Sequence, residues 1–145
     1  MSKLDHVAND FLTLFGVIHG KFLRPSEKIT RPMLGPAQFH ALSILCRKGP
    51  LPISELADEL KISKQQSTPL ICKLIGSGLA AKKVDGHDRR IVHIEITETG
   101  RGMFKMLWLE VKQALAAKLE ALPETELEEL DQLMKRICEI LQGIK

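Results

Sequence analysis

The stretch SELADELKISKQQSTPLICKLIGSGLAAKKVDGHDRR, from Ser54 to Arg90, constrains this chain more than any other. Leu56, Ala57 and Leu60 stand at helical spacing behind Ser54, which is placed to cap a short amphipathic helix. Only Lys61 and Ile62 follow before Ser63 opens a second helix, so the connection is tight. Ser63-Lys-Gln-Gln66 has capping-box spacing, in which each end residue satisfies a backbone N–H of the other. On a helical wheel Ser67, Leu70, Ile71, Leu74 and Ile75 point one way. Gln65, Pro69, Cys72, Lys73 and Gly76 point the other, with Lys64 and Thr68 on the flank. The outward face is uncharged-polar with a lysine at each end, which suits base edges and phosphates. Gly78 is placed to stop this helix.

Two strand candidates come next, Leu79–Val84 and Ile91–Ile96, joined by Asp85-Gly86-His87-Asp88-Arg89-Arg90. Asp-Gly supplies a turn, so the segment reads as a β-hairpin with Arg89 and Arg90 at or near its tip. Helix, turn, helix and a hairpin with a basic tip make a winged helix-turn-helix. The pieces ELADELKISKQQSTPLICKLIGSGL, DGHDRRIVHIEIT and the following TETG resemble the MarR-type (multiple antibiotic resistance regulator) family of transcription regulators. More loosely, the likeness covers nearly the whole chain through its length and helix order.

With 145 residues, 44% of them hydrophobic, the chain is long enough for one domain with a substantial core. The net charge of +3 is unevenly spread. Lys61, Lys64, Lys73, Lys82, Lys83, Arg89 and Arg90 face only Asp85 and Asp88 in the middle of the chain. The C-terminal part is acidic, through Glu120, Glu124, Glu126, Glu128, Glu129, Asp131 and Glu139. Such asymmetry points to a local phosphate-facing surface. No apolar run is long enough for a bilayer and no signal-peptide pattern opens the chain, so a cytoplasmic protein is expected. Cys46, Cys72 and Cys138 lack C-x-x-C spacing and read as free thiols.

Along the chain, Leu4, Val7, Phe11, Leu14, Phe15, Ile18 and Phe22 predict a first helix over 4–23, ending before Pro25. RPSEKITRPMLGP then reads as a loop or broken turn. Pro36 suits the first position of a helix reaching Lys48, with Phe39, Leu42, Ile44, Leu45 and Cys46 as its apolar residues. Leu51-Pro52-Ile53 reads as a short edge strand. Thr97 can cap a long helix from Glu98 to Leu119, and Pro123-Glu124 restarts the chain in a last helix. There Leu127, Leu130, Leu133, Met134, Ile137, Ile140, Leu141 and Ile144 form a stripe wider than packing on a small domain needs.

The fold expected is therefore mainly α (α+β): a winged helix-turn-helix with long N- and C-terminal dimerisation helices. Residues 1–145 form one domain in this reading. Its 36–97 segment is the DNA-binding lobe, and 4–23 with 98–145 are the dimerisation helices, an arrangement the family resemblance also implies.

For the major groove the candidates are Ser63, Lys64, Gln65, Gln66, Thr68 and Lys73, since glutamine pairs with adenine and lysine with guanine or phosphate. Gln66 has a competing use in the capping box. Pro69 departs from the polar or basic residue that many family members carry; it either bends the helix or packs on a thymine methyl. The resemblance further implies that the Asp-x-Arg of the wing, here Asp88-Arg89-Arg90, puts Arg90 into the minor groove with Asp88 supporting it. Arg89 and His87 are then phosphate contacts or solvated. A narrow A·T-rich minor groove concentrates negative potential, so an arginine on a stiff hairpin reads it by shape.

Enzyme chemistry finds no footing. His6, His19, His40, His87 and His93 lack metal-ligand spacing, and there is no G-x-S-x-G, no phosphate-cradling glycine loop and no tyrosine. No cofactor or metal is expected. The function expected is a homodimeric, ligand-responsive regulator, a repressor in the first instance, on a pseudo-palindromic double-stranded DNA operator. The alternative is metal or thiol-redox sensing on the same scaffold. From the resemblance comes a small effector, often aromatic and anionic, with Phe15, His19, Phe39 and Trp108 as lining residues placed by helix order.

Overall fold

The structure, a computed structural model, describes residues 1–145. Helix α1 spans Lys3–Ile18, followed by a π-helical turn at His19–Leu23 and α2 at Arg24–Thr30. Helix α3 (Pro36–Lys48), strand β1 (Leu51–Pro52), α4 (Ile53–Leu60) and α5 (Lys64–Gly76) come next. Strands β2 (Ala80–Val84) and β3 (Val92–Ile96) form the wing, and α6 (Glu98–Leu119) and α7 (Glu124–Gln142) complete the chain. This is the mainly helical winged helix-turn-helix that the sequence predicts. The chain divides into two compact units, Met1–Val111 and Lys112–Lys145. No helix is long and apolar enough to cross a membrane.

The region after α1 corrects two expectations. Helical backbone does not end before Pro25, and Arg24–Thr30 is not a loop. Proline lacks an N–H and its ring crowds the carbonyl four residues back. The chain answers by widening one turn, so that the Arg24 N–H reaches back five residues to the His19 carbonyl. The Ser26 hydroxyl donates to the Phe22 carbonyl at 2.6 Å, and α2 continues through the proline.

The first unit is built around α3. Leu42, Ile44 and Leu45 are fully buried against Leu56 of α4, Ile71 and Leu74 of α5, and Ile94 of β3. Burying one such side chain is worth roughly 1.5–3 kcal/mol, so this shared cluster fixes α4 and α5 on α3. Helix α4 begins two residues earlier than a cap at Ser54 implies. Pro52, not Ser54, is the N-cap, because the chain leaves β1 in an extended conformation there. Lys61 adopts the left-handed conformation (φ 57°) at the end of α4, which makes the sharp turn into α5.

The sheet is antiparallel with order β1-β3-β2, and β1 is the edge strand that tolerates Pro52. Its register pairs Ala80 with Ile96, Lys82 with Ile94, Lys83 with His93 and Val84 with Val92. Where β3 runs into α6 the backbones approach closely. The Thr97 N–H donates to the Leu79 carbonyl at 3.0 Å, and its hydroxyl donates to the Gly78 carbonyl at 2.6 Å. The same hydroxyl accepts the Gly100 N–H at 3.0 Å, so Thr97 caps α6 as expected.

In the second unit α7 buries none of its residues, and Leu133, Met134, Ile140 and Ile144 are each more than half exposed. Helix α1, in the first unit, likewise has no buried residue.

Candidate nucleic-acid interface

Ser63 has an extended backbone and its Oγ accepts the Gln66 N–H at 3.1 Å, while the Gln66 Oε1 accepts the Ser63 N–H at 3.1 Å. The capping box is therefore closed, and Gln66 keeps only its amide NH2 for a partner. Ser67 is completely buried and polar; its hydroxyl donates to the Lys64 carbonyl at 2.7 Å, which satisfies it. Ile71 and Leu74 anchor the same face. Lys64, Gln65, Thr68, Pro69, Cys72, Lys73 and Gly76 are all exposed, so the polar face is turned outward as the spacing predicts. Thr68 is partly committed, since its hydroxyl donates to the Lys64 carbonyl at 3.0 Å. Pro69 lies inside α5 and offers no N–H to the Gln65 carbonyl, leaving that acceptor on the outward face.

The wing loop departs from a simple Asp-Gly turn. Gly86 does not use positive φ; the work falls to the Asp85 carboxylate. Its Oδ1 accepts the His87 N–H at 2.7 Å and the Asp88 N–H at 3.3 Å. A second turn follows, in which the Ile91 N–H donates to the Asp88 carbonyl at 3.0 Å. Arg89 and Arg90 occupy that turn. The Arg90 guanidinium donates from Nε to Asp88 Oδ1 and from Nη2 to Oδ2, each at 3.2 Å, and its backbone N–H donates to Oδ1 at 3.0 Å. Even so, the Arg90 side chain is 91% exposed. Both carboxyls are held below the usual aspartate range, Asp85 chiefly by the His87 N–H and Asp88 chiefly by the Arg90 side chain.

One partner of this loop carries no motif signal. His93 of β3 places Nε2 at 3.0 Å from Asp85 Oδ2, eight residues away in sequence but adjacent across the hairpin. The register between Lys83 and His93 follows once the hairpin is accepted, yet nothing in the local sequence marks the pair.

The four lining candidates fall into two groups. Phe15 stacks on His19 with centroids 6.0 Å apart. Phe39 and Trp108 instead flank Phe104, at 5.2 Å and 5.8 Å, making a run of three rings. Phe104 is the buried centre of that run, and only its helical spacing hinted at it. Elsewhere, Arg101 Nη1 lies 3.5 Å from the Cys46 Sγ. No three His, Cys, Asp or Glu side chains group as metal ligands.

Residues 34–91, which span α3 to the wing loop, match the MarR family. The winged helix-turn-helix of this chain belongs to the MarR family. The MarR-type assignment agrees with the HTH-type transcriptional repressor MdtR of Bacillus subtilis (strain 168). That protein is 27% identical over 131 residues, covering 88% of this chain and 83% of MdtR. It agrees also with the fold of a MarR family protein from Bacillus stearothermophilus, at TM-score 0.84 and 21% identity over 99% of both chains. A mutant of S. aureus MepR, solved bound to an oligodeoxyribonucleotide, superposes with TM-score 0.67 at 19% identity over 90% of this chain and 97% of that one. The curated relatives that this chain resembles are named as transcription regulators.

Proposed function

We propose that this regulator is a homodimer that binds a pseudo-palindromic DNA operator, with α5 in the major groove and the wing in the flanking minor groove. The observation that carries this reading is the wing arginine. Arg90 is gripped by Asp88 along one edge of its guanidinium and is otherwise open to solvent, so a strong positive charge is held in place before any partner arrives. On α5, Lys64 and Gln65 are exposed at the helix N-terminus, where backbone N–H groups favour phosphate, and Lys73 is exposed in the last turn. Residues 36–97 act as the DNA-binding lobe.

Residues 4–23 and 98–145 act as dimerisation helices. The support is their apolar exposure: Leu4, Leu12 and Phe15 in α1 and Leu133, Met134 and Ile140 in α7 are all more than half exposed in the single chain. Repression is the output we assign, in keeping with the name of the relative MdtR. The effector is a small aromatic anion held near the Phe39–Phe104–Trp108 run, and the regulator works in the cytoplasm. Selection of binding duplexes from a random library, followed by hydroxyl-radical footprinting, tests the reading. Two symmetric major-groove footprints with protected A·T-rich flanks are expected. A single asymmetric footprint contradicts it.

A second reading has one observation in its favour. The Arg101 guanidinium places Nη1 3.5 Å from the Cys46 Sγ, so this thiol has a cationic neighbour. Peroxide-triggered release of DNA by the wild type, lost in a Cys46→Ser, Cys72→Ser, Cys138→Ser variant, would establish thiol sensing in place of effector control.

A further inference from the structure

We infer that His93 and Asp85 form a proton-sensitive latch that sets how firmly the wing loop is held. Its consequence for DNA rests on the reading of the wing given above. Asp85 lies in the short connection between β2 and β3, and its carboxylate organises that loop. Asp85 Oδ1 gathers the N–H groups of His87 and Asp88, while the Asp85 N–H itself donates to the Ile91 carbonyl at 3.0 Å. The other oxygen, Oδ2, meets the His93 Nε2 at 3.0 Å. The carboxylate is therefore tied to the loop by one oxygen and to the sheet by the other. Asp88, whose N–H hangs on Asp85, is also the residue that grips Arg90. Order at Asp85 passes to Arg90 through one intervening side chain.

The proton enters through His93. A neutral imidazole donates from Nε2 in only one of its two tautomers, and in the other it turns a lone pair toward the carboxylate. The protonated ring always donates and adds a full positive charge. The Asp85 carboxyl is held below its ordinary range, first by the His87 N–H and then by His93, so it stays ionised while an imidazole titrates. The two side chains are only 24% and 22% exposed, which limits screening of the pair.

The surrounding charges are few. Lys83 stands directly opposite His93 on β2 and is itself paired with Glu95 at 3.9 Å. Asp88 and Arg90 of the loop are paired with each other, and Pro52 of β1, opposite His93, brings no charge. On the opposite face of β3, Ile94 is buried in the apolar core, with Lys82 of β2 opposite it in the register.

The test is amide hydrogen exchange of the free full-length protein between pH 8 and pH 5.5, corrected for intrinsic rates, with DNA affinity measured in parallel at fixed salt. In the wild type the His87 and Asp88 amides should gain protection severalfold on acidification. That gain should vanish in His93→Gln and also in Asp85→Asn, which keeps an acceptor oxygen for both N–H groups but loses the charge. Protection that does not respond to pH in the wild type, or responds equally in both variants, overturns the latch. The DNA arm judges the wing separately. If protection responds as expected while affinity in the wild type and His93→Gln changes identically with pH, the latch stands and the reading of the wing as a DNA contact fails.

Discussion

Asp88 and Arg90 are bonded three times over: one carboxylate accepts the backbone N–H, Nε and Nη2 of the arginine two residues on. An exposed ion pair of this kind contributes little to folding stability. Its value is geometric, because a fork-to-fork pair fixes a plane as well as a position. Asp88→Ala should therefore leave the thermal midpoint nearly unchanged and weaken DNA binding less than Arg90→Ala does. The double variant should bind no worse than Arg90→Ala alone, since Asp88 acts only through Arg90. Additive losses in a double-mutant cycle on one duplex would show that Asp88 has a role of its own.

Gly100 is the fold's tightest requirement. A Cβ placed there would lie 2.0 Å from the Leu79 carbonyl oxygen and 3.0 Å from the Ile96 side chain. Backbone cannot move aside without opening the junction between the wing and α6. Gly100→Ala should cost roughly 1–3 kcal/mol or more, read by urea denaturation, even though alanine favours helix elsewhere. Gly102, in the same helix with open space around it, serves as the control and should tolerate alanine.

Much of this was legible in the chain because several signals agreed at once. Helix α5 is bracketed by its capping box and by Gly78, which adopts φ 75°, and its apolar stripe ends up on the buried side. Thr97 caps α6 where its spacing places it. Helix α2 was not legible, since Pro25 and Pro32 dominate any local reading while a single widened turn at His19–Leu23 absorbs the missing N–H. Nor was Ser54's loss of the cap position, which depends on β1 holding Pro52 extended. The pairs Asp85–His93 and Cys46–Arg101 exist only through tertiary register. Of the rings chosen by helix order, Phe15 stacks on His19, and Phe39 and Trp108 meet through Phe104, contacts that helix order alone does not give.

Protonation of its two carboxylates, at a pH well below that at which an imidazole titrates, should loosen the wing. Asp85 and Asp88 both titrate below the ordinary value of 3.8, each because its charged form accepts hydrogen bonds in the fold. A depressed carboxyl contributes order that is present above its unfolded value and is lost as pH falls through the folded one. Wing amides should therefore broaden or exchange faster below about pH 4 than at about pH 5, while core amides of α3 hold. Nitrogen relaxation at the two pH values checks this, and wing and core responding together would assign the change to global unfolding.

The exposed apolar stripe of α7 predicts its own consequence. Full-length protein should sediment as a dimer at micromolar concentration, and removal of residues 123–145 should shift it to monomer or to aggregate. A well-folded monomer of the full-length chain would contradict the assignment of these helices to a dimer interface.

The most direct test of the central proposal compares Arg90→Ala and Gln65→Ala in salt titrations by fluorescence anisotropy, on a selected duplex and on a scrambled one. Arg90 should act through groove potential and phosphates. Its loss should weaken binding to both duplexes by similar factors and flatten the slope of log K against log salt by roughly 1–2 units for the two copies in a dimer. Gln65 should act on base edges, costing about 1–3 kcal/mol per half-site on the selected duplex, little on the scrambled one, and barely moving the slope. Unchanged affinity and slope in Arg90→Ala would contradict the wing contact and leave the hairpin a purely structural element.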